Sequence, residues 1–290
     1  MNELKSPKRC NDLVYDVGMH QGEDTDFYLK KGFRVVGFEA DPDLAATCRR
    51  RFSDEIDSGQ LVIVEGAIVG RQILNSGNKT IRFFKNTDVS VWGTVADDWA
   101  QRNEMLGTSN NIIEVPVVDF GACLVEFGMP HYLKIDIEGM DLVCLETLQD
   151  FDSRPDYLSI ESEKISFLRL RRELELLSAL GYESFKAVQQ SGIARQKEPK
   201  PAREGTYAGY RFQEGASGLF GEDLPSGWVG LDKIVKIYER IFLRYKLFGD
   251  YALLRKNVVS RTLINGLQYV LRIPLPGWYD THARHSSVNS

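Results

Sequence analysis

The sequence predicts an α/β protein built on an open, mostly parallel sheet with helices on both faces. Three observations carry that expectation. Short apolar strands alternate with helical segments through the first half of the chain. The first strand runs directly into a glycine-bearing turn that opens a helix, and the second ends on an acid followed by a helix start.

Taken in order, Asp12 to Val17 (DLVYDV) is a buried strand feeding GMHQG, and DTDFYLKKG is a helix closed by Gly32. Arg34 to Glu39 (RVVGFE) is a second buried strand; Asp41 caps the next helix, with Pro42 at its first position. Leu61 to Val64 makes a third. Between Arg71 and Asn111 the periodicity weakens: IRFFKN reads as an antiparallel strand, NSGNK as a hairpin turn and DVSVWGTVADDW as a loop with a short helix. Tyr132 to Ile137 and Tyr157 to Glu161 are further strands, separated by a helix from Asp141 to Leu148. A helix from Arg169 to Leu180 follows, and then ESFKAVQQ and YAGYRFQ read as a strand pair, the sheet ending in a hairpin. The charged, proline-bearing insert between them, Ala194 to Gly205, is expected to be a mobile loop.

Glu214 to Gly230 carries too much glycine for a regular element and is expected to be a loop, with Gly215 to Gly227 a candidate lid. Beyond it come an amphipathic helix from Leu231 to Phe248, an apolar segment from Thr262 to Leu271, and a polar tail expected to fray. This divides the chain into a domain over 1–213, a glycine-rich loop over 214–230 and a helical C-terminal extension over 231–290.

Composition removes several function classes. The 290 residues are 43% hydrophobic and 27% charged, within the range of globular proteins. A net charge of -5 gives no global attraction for a polyphosphate, and no Asn/Asp-Pro-Pro-aromatic segment is present to hold a flipped base, so no nucleic-acid partner is expected. The four cysteines lie far apart, without a CxxC pair or a nearby histidine at metal-ligand spacing, and read as reduced thiols; no resident metal is expected. No apolar run approaches the roughly 18 residues of a spanning helix, and no secretory apolar core follows the amino terminus, so a cytoplasmic protein is expected. Peripheral membrane contact through the basic, amphipathic helix and a homodimer are both compatible with the sequence.

The chemistry is concentrated in DVGMHQG. Asp16 ends the strand, Gly18 and Gly22 let backbone approach a ligand, and the helix N-terminus offers N–H groups to a carboxylate. Glu39 ends the second strand, where a carboxylate can take both ribose hydroxyls of a nucleoside. A nicotinamide site would want GxGxxG for its pyrophosphate, whereas this turn has GxxxG preceded by an acid. S-adenosylmethionine, with an amino-acid end and no phosphate, fits the spacing better.

DLVYDVGMHQGEDTDFYLKKGFRVVGFEADP, YLKIDIEGMDLVCLETL and PDYLSIES together resemble the FkbM family of S-adenosylmethionine-dependent methyltransferases, over about Asp12 to Phe212. The resemblance implies a Rossmann-like class I methyltransferase fold with a seven-stranded sheet, S-adenosylmethionine as cofactor, and O-methylation of a sugar or polyketide hydroxyl. Met19-His20 stands where members often have Ala-Asn. The implied reading is an O-methyltransferase for a glycan or other polyhydroxylated metabolite; the alternatives are a cofactor-binding protein without catalysis and a methyltransferase for a polyketide or other small molecule.

Cofactor contacts are then expected from Asp16, Gly18, His20, Gly22, Thr25, Glu39, Ala40, Asp41, Ala67 and Asp136. Alternation along YLKIDIEG puts Lys134, Asp136 and Glu138 on one side, at the strand end where ligands sit. Methyl transfer to oxygen requires a proton acceptor, for which Asp136, Glu138 and His20 are the candidates. Glu138, Glu161 and Glu163 are expected to line the acceptor pocket, with Trp92 as a platform for a sugar ring and Trp228 and Trp278 as further loop aromatics. Asp24 is expected to cap the first helix.

Overall fold

The computed structural model describes residues 6–90, 93–96, 107–137, 139–163, 166–213, 215–248 and 278–289. The described strands are β1 (Arg9–Val17), β2 (Arg34–Glu39), β3 (Leu61–Glu65), β4 (Ala67–Ile68), β5 (Thr80–Asn86), β6 (Asn110–Val118), β7 (Met129–Ile135), β8 (Tyr157–Glu161), β9 (Tyr182–Gln189) and β10 (Tyr279–His285). The helices are α1 (Glu23–Lys30), α2 (Pro42–Arg51), α3 (Ser53–Asp57), α4 (Arg71–Asn75), α5 (Phe120–Phe127), α6 (Asp141–Leu148), α7 (Phe167–Ala179) and α8 (Leu231–Phe248).

Seven strands form one sheet in the order β3-β2-β1-β7-β8-β10-β9. Neighbours from β3 to β8 pair in parallel, and β10 runs antiparallel to both β8 and β9. The order reverses beside β1, so the ends of β1 and β7 open a crevice where ligands of open α/β sheets bind. A smaller sheet, β4-β6-β5, decorates the β3 side, and β5 pairs antiparallel with β6 as the sequence suggests. NSGNK closes α4 instead of turning a hairpin: the Ser76 and Gly77 amides donate to the carbonyls of Ile73 and Leu74. Trp92 and much of DVSVWGTVADDW lie outside the described residues, as does Thr262 to Leu271.

Strand alternation gives the sheet two apolar faces. Tyr15, Val17, Leu133, Ile135, Leu158 and Ile160 pack under α5, α6, α7 and α8. Val14, Tyr132 and Tyr157 face the other way, under α1, α2 and an irregular stretch over 190–224. In that stretch Phe220 stacks on Tyr132 with ring centroids 4.4 Å apart, and Phe212 meets Phe27 edge-on at 4.7 Å. The second layer is thus half coil, and its aromatics replace a helix.

The closing hairpin differs from the sequence expectation. YAGYRFQ forms no strand; Glu198 accepts hydrogen bonds from the Ala208 and Tyr210 amides at 3.2 and 2.9 Å, and Tyr210 and Phe212 pack on α1. The partner of β9 is β10, nearly a hundred residues later, inserted between β8 and β9. The stretch read as a C-terminal extension therefore supplies an internal strand of the sheet, and α8 packs its Ile234, Tyr238, Ile241 and Phe242 into the core. Nor does the tail fray. The amides of His285 and Ser286 bond the carbonyls of Asp156 and Gly181, and residues 286–289 form a single 3₁₀ turn.

The insert expected to be mobile is pinned by buried charge. Lys31 lies 3.0 Å from Glu198 and 2.7 Å from Asp223, and the His131 ring bonds Asp156 and Glu204 at 2.8 and 2.9 Å. Satisfied buried pairs of this kind fix the path of coil that has no ladder of its own.

Candidate functional site

A cavity of about 780 Å³ opens at the carboxyl end of the sheet, within the size range of small-molecule sites. One end is walled by Glu39, Ala40 and Asp41 after β2 and by Ala67 and Ile68 of β4. Gly18 and His20 of the β1–α1 turn and Asp136 after β7 form its middle, and Glu161, Trp278 and Asp280 its far end. No lysine or arginine is among its described lining residues.

The glycine turn is dictated by close approach. Gly18 has φ +83°, and a Cβ there would sit 1.9 Å from the Asp136 carbonyl oxygen. The amides of Gly18 and Met19 both donate to the Phe38 carbonyl at 3.0 Å, that of His20 to Glu39 Oε2 at 2.8 Å, and that of Gln21 to Glu23 at 3.2 Å. The turn therefore consumes its own donors and does not present them to a carboxylate. His20 has φ 51°; its ring lies 2.8 Å from Ser90 Oγ and 3.3 Å from Glu23 Oε1. Burial works against the Glu23 charge, but the His20 hydrogen bond, the backbone hydrogen bond of Glu23 and the charges of His20 and Lys134 together outweigh it and hold the carboxyl below its usual range.

Glu39 is the hinge between the two loops. Its Oε2 accepts from His20 and its Oε1 from the Asp41 amide at 2.8 Å, while burial raises its pKa to about 7. Asp41 caps α2 by accepting from the Asp43 amide and pairs with Lys85 at 3.0 Å.

Asp16, Gly22 and Thr25 do not line the cavity. Asp16 is fully buried beneath the turn, accepting from Thr25 Oγ1 at 2.6 Å and Lys134 Nζ at 3.1 Å. The reason is register: Asp16 on β1 pairs with Lys134 on β7, so both carry their charge to the same face, one residue short of the strand ends. Gly22 precedes α1, and a Cβ there would meet the Phe52 ring at 2.4 Å. Asp24 is no cap: its carboxylate accepts from the Ser217 amide at 2.8 and 3.0 Å and lies 3.6 Å from Lys134. Burial raises Asp24 to about 6, and Lys134 offsets part of that. Through Asp24 the glycine-rich stretch is clasped to α1, and Leu219, Phe220 and Leu224 are buried, so this segment is wall rather than lid.

Of the residues expected at the acceptor, Glu161 lines the cavity, Glu163 turns away to accept from the Ser166 amide at 3.2 Å, and Glu138 and Trp92 lie outside the described residues. Trp278 lines the cavity, while Trp228 packs on Tyr157 and under Arg284. Asp280 was not singled out from sequence. It is 8% exposed, stands directly across from Glu161 in the β10–β8 register, and its carboxyl has no hydrogen bond or ion pair among the described residues. Burial, then the charges of Asp136 and Glu161, push its pKa well above the carboxylate range. Alternation in YDTHARH was the available signal, but only pairing reveals which face it serves. Among the described residues no group of three His, Cys, Asp or Glu side chains is placed to hold a metal ion.

A family model described as the methyltransferase FkbM domain matches residues 16–184. No curated protein matches the chain. Among solved structures, a SAM-dependent methyltransferase from Archaeoglobus fulgidus is similar at 12% identity, with 97% of this chain and 88% of that chain covered and a TM-score of 0.35. A SAM-dependent methyltransferase from Thiobacillus denitrificans in complex with S-adenosyl-L-homocysteine gives 9% identity, 96% and 86% coverage and a TM-score of 0.35. Precorrin-6y C5,15-methyltransferase from Geobacter metallireducens gives 11%, 76% and 77%, and 0.34.

Proposed function

The chain belongs to the FkbM methyltransferase family, and from that premise we propose that it transfers a methyl group from S-adenosylmethionine to a hydroxyl of a sugar or related polyhydroxylated metabolite. The observation that carries this reading is the cavity's lining: acids at both ends and no lysine or arginine among the described residues. Such a wall suits a cationic, phosphate-free cofactor and a neutral acceptor, and repels phosphorylated compounds. No helix among the described residues is long and apolar enough to cross a membrane.

The residues present fit the cofactor in order along the cavity. In this reading Ala67 and Ile68 of the cavity wall seat the adenine, Glu39 takes the ribose hydroxyls, and Asp136 takes the ammonium group. Asp16 and Thr25 act from below, holding Lys134 and through it the Gly18 carbonyl, which Lys134 Nζ bonds at 3.1 Å. When bound, the cofactor supplies an electrophilic methyl group on a sulfonium. The Asp136 side chain and the close-packed Gly18 wall fix its position, and alignment of this kind supplies much of the rate of an in-line displacement.

The acceptor hydroxyl lies at the Glu161 and Asp280 end, beside Trp278, whose face suits the apolar side of a sugar ring. Glu161 and Asp280 stand side by side in register there; Asp280, whose burial favours the protonated form, donates to an acceptor oxygen, while Glu161 takes the hydroxyl proton. His20 is already engaged by Ser90 and Glu23 and serves the turn instead.

The test is calorimetric titration with S-adenosylhomocysteine, followed by release of that product from S-adenosylmethionine in the presence of neutral methyl glycosides or their 6-phosphates. Binding with turnover of neutral glycosides supports the reading. A folded protein that does not bind S-adenosylhomocysteine, or that prefers the phosphates, overturns it.

A further inference from the structure

Opposite the acidic cavity wall in charge, and beside it in space, lies a basic and apolar surface. The first turn of α7 meets the last turns of α8 where Phe167 and Phe242 pack edge-on at 5.4 Å. The residues next to these rings turn outward: Leu168 is 70% exposed and Leu243 57%. Exposed Arg172 on α7 and exposed Arg240 and Arg244 on α8 accompany them, and none has an ion pair among the described residues. Single exposed leucines are ordinary, but two on adjoining helices, both set in arginine, form an amphipathic surface.

Its position matters for function. Tyr245, near the end of α8, and Tyr279, which opens β10 between the cavity residues Trp278 and Asp280, pack against the same core, so the end of α8 lies on the acceptor side of the cavity. Trp278, half exposed, lines that cavity. In a chain of net charge -5, cations gathered here contrast with the remainder.

We infer that the α7–α8 surface docks on an anionic lipid bilayer, with Leu168 and Leu243 entering the headgroup boundary and the arginines meeting lipid phosphates, so that the cavity receives an acceptor carried at the membrane surface. Leucines among arginines fit a bilayer interface, whereas a nucleic acid gives them nothing to bury against. The position of the acceptor end rests on the methyltransferase reading; docking itself does not.

The test is sedimentation of the whole protein with phosphatidylcholine vesicles containing phosphatidylglycerol, or with phosphatidylcholine alone. Binding is expected to the anionic vesicles only and to be released by salt. Arg240→Ala and Arg244→Ala should each lower partitioning roughly five-fold, and Leu168→Glu/Leu243→Glu should abolish it while S-adenosylhomocysteine affinity stays unchanged. Absence of sedimentation by wild-type protein, equal sedimentation with neutral vesicles, or variants that bind vesicles normally overturns the inference, as does a dimer in sedimentation velocity that only the leucine variants dissociate. Failure to bind S-adenosylhomocysteine with vesicle binding intact would sink the cofactor assignment alone.

Discussion

Lys134 and Asp16, register partners on adjacent central strands, form a buried ion pair at 3.1 Å directly under the turn that walls the candidate cofactor site. Burial works against the lysine's charge, but Asp16 and then Asp24 outweigh it and keep its pKa above the ordinary range. Removing the lysine would leave two carboxylates buried together. Lys134→Met is expected to destabilise the protein by about 3–5 kcal/mol in urea unfolding at pH 7. The deficit should shrink toward pH 5, where the orphaned carboxyls take up protons more readily in the folded than in the unfolded chain.

Glu39 links cofactor binding to pH. Its folded pKa of about 7 is raised from 4.5, so the free protein holds a proton there that the unfolded chain has lost. Ribose hydroxyls donate best to the ionised carboxylate, so S-adenosylhomocysteine affinity should fall as pH drops below about 7. Calorimetric titration from pH 6 to 8.5, across the Glu39 transition, checks this. Glu39→Gln is expected to bind at least tenfold more weakly and with a flattened profile.

Asp280→Asn separates binding from chemistry. Affinity for S-adenosylhomocysteine should stay within a few-fold, while turnover of a neutral glycoside falls by about 10²–10⁴. Stability should move the other way. The raised pKa of Asp280 means the folded state favours its protonated form and loses stability as pH rises above the usual carboxylate range. The Asn variant should therefore melt higher than wild type at pH 8, with the difference closing at acid pH.

The clasp between Asp24 and Ser217 predicts a protease pattern. In wild type the segment over 213–228 should resist cutting with or without cofactor, since Leu219 and Phe220 are buried. Asp24→Ala removes the acceptor for the Ser217 amide and should open cleavage there, seen by mass spectrometry of limited digests.

Gly18→Ala should be among the most damaging single changes to the site. The added carbon meets the Asp136 carbonyl at 1.9 Å, and φ +83° disfavours any side chain. Loss of S-adenosylhomocysteine binding and a melting temperature several degrees lower are expected, against a small effect for Gly192→Ala, whose backbone is not in the left-handed region and whose Cβ would meet nothing within 4 Å.

Much of the frame was legible in the chain itself. Strands such as RVVGFE and YLSIE were found within a residue or so because a buried parallel strand is a short apolar run with sharp boundaries. The glycine turn, Glu39 and Asp136 were legible because their spacing follows a strand end, which is a local property. YAGYRFQ misled for the same reason: its alternation is that of a strand, and only Glu198, distant in the fold's logic though near in sequence, shows that its amides are otherwise satisfied.

What the sequence determined by itself is the strands β1, β2, β3, β7, β8 and β9, the helices that follow them, and the chemistry gathered at the ends of β1, β2 and β7, because periodicity and turn residues act over a few positions. What tertiary structure decided is which strand fills the gap between β8 and β9, that Asp16 serves Lys134 instead of facing the ligand, and that Asp280 joins Glu161 at the cavity wall. Those outcomes depend on pairing register between segments about a hundred residues apart. A shift of one residue would turn each of these charges to the opposite face, and no local pattern encodes it.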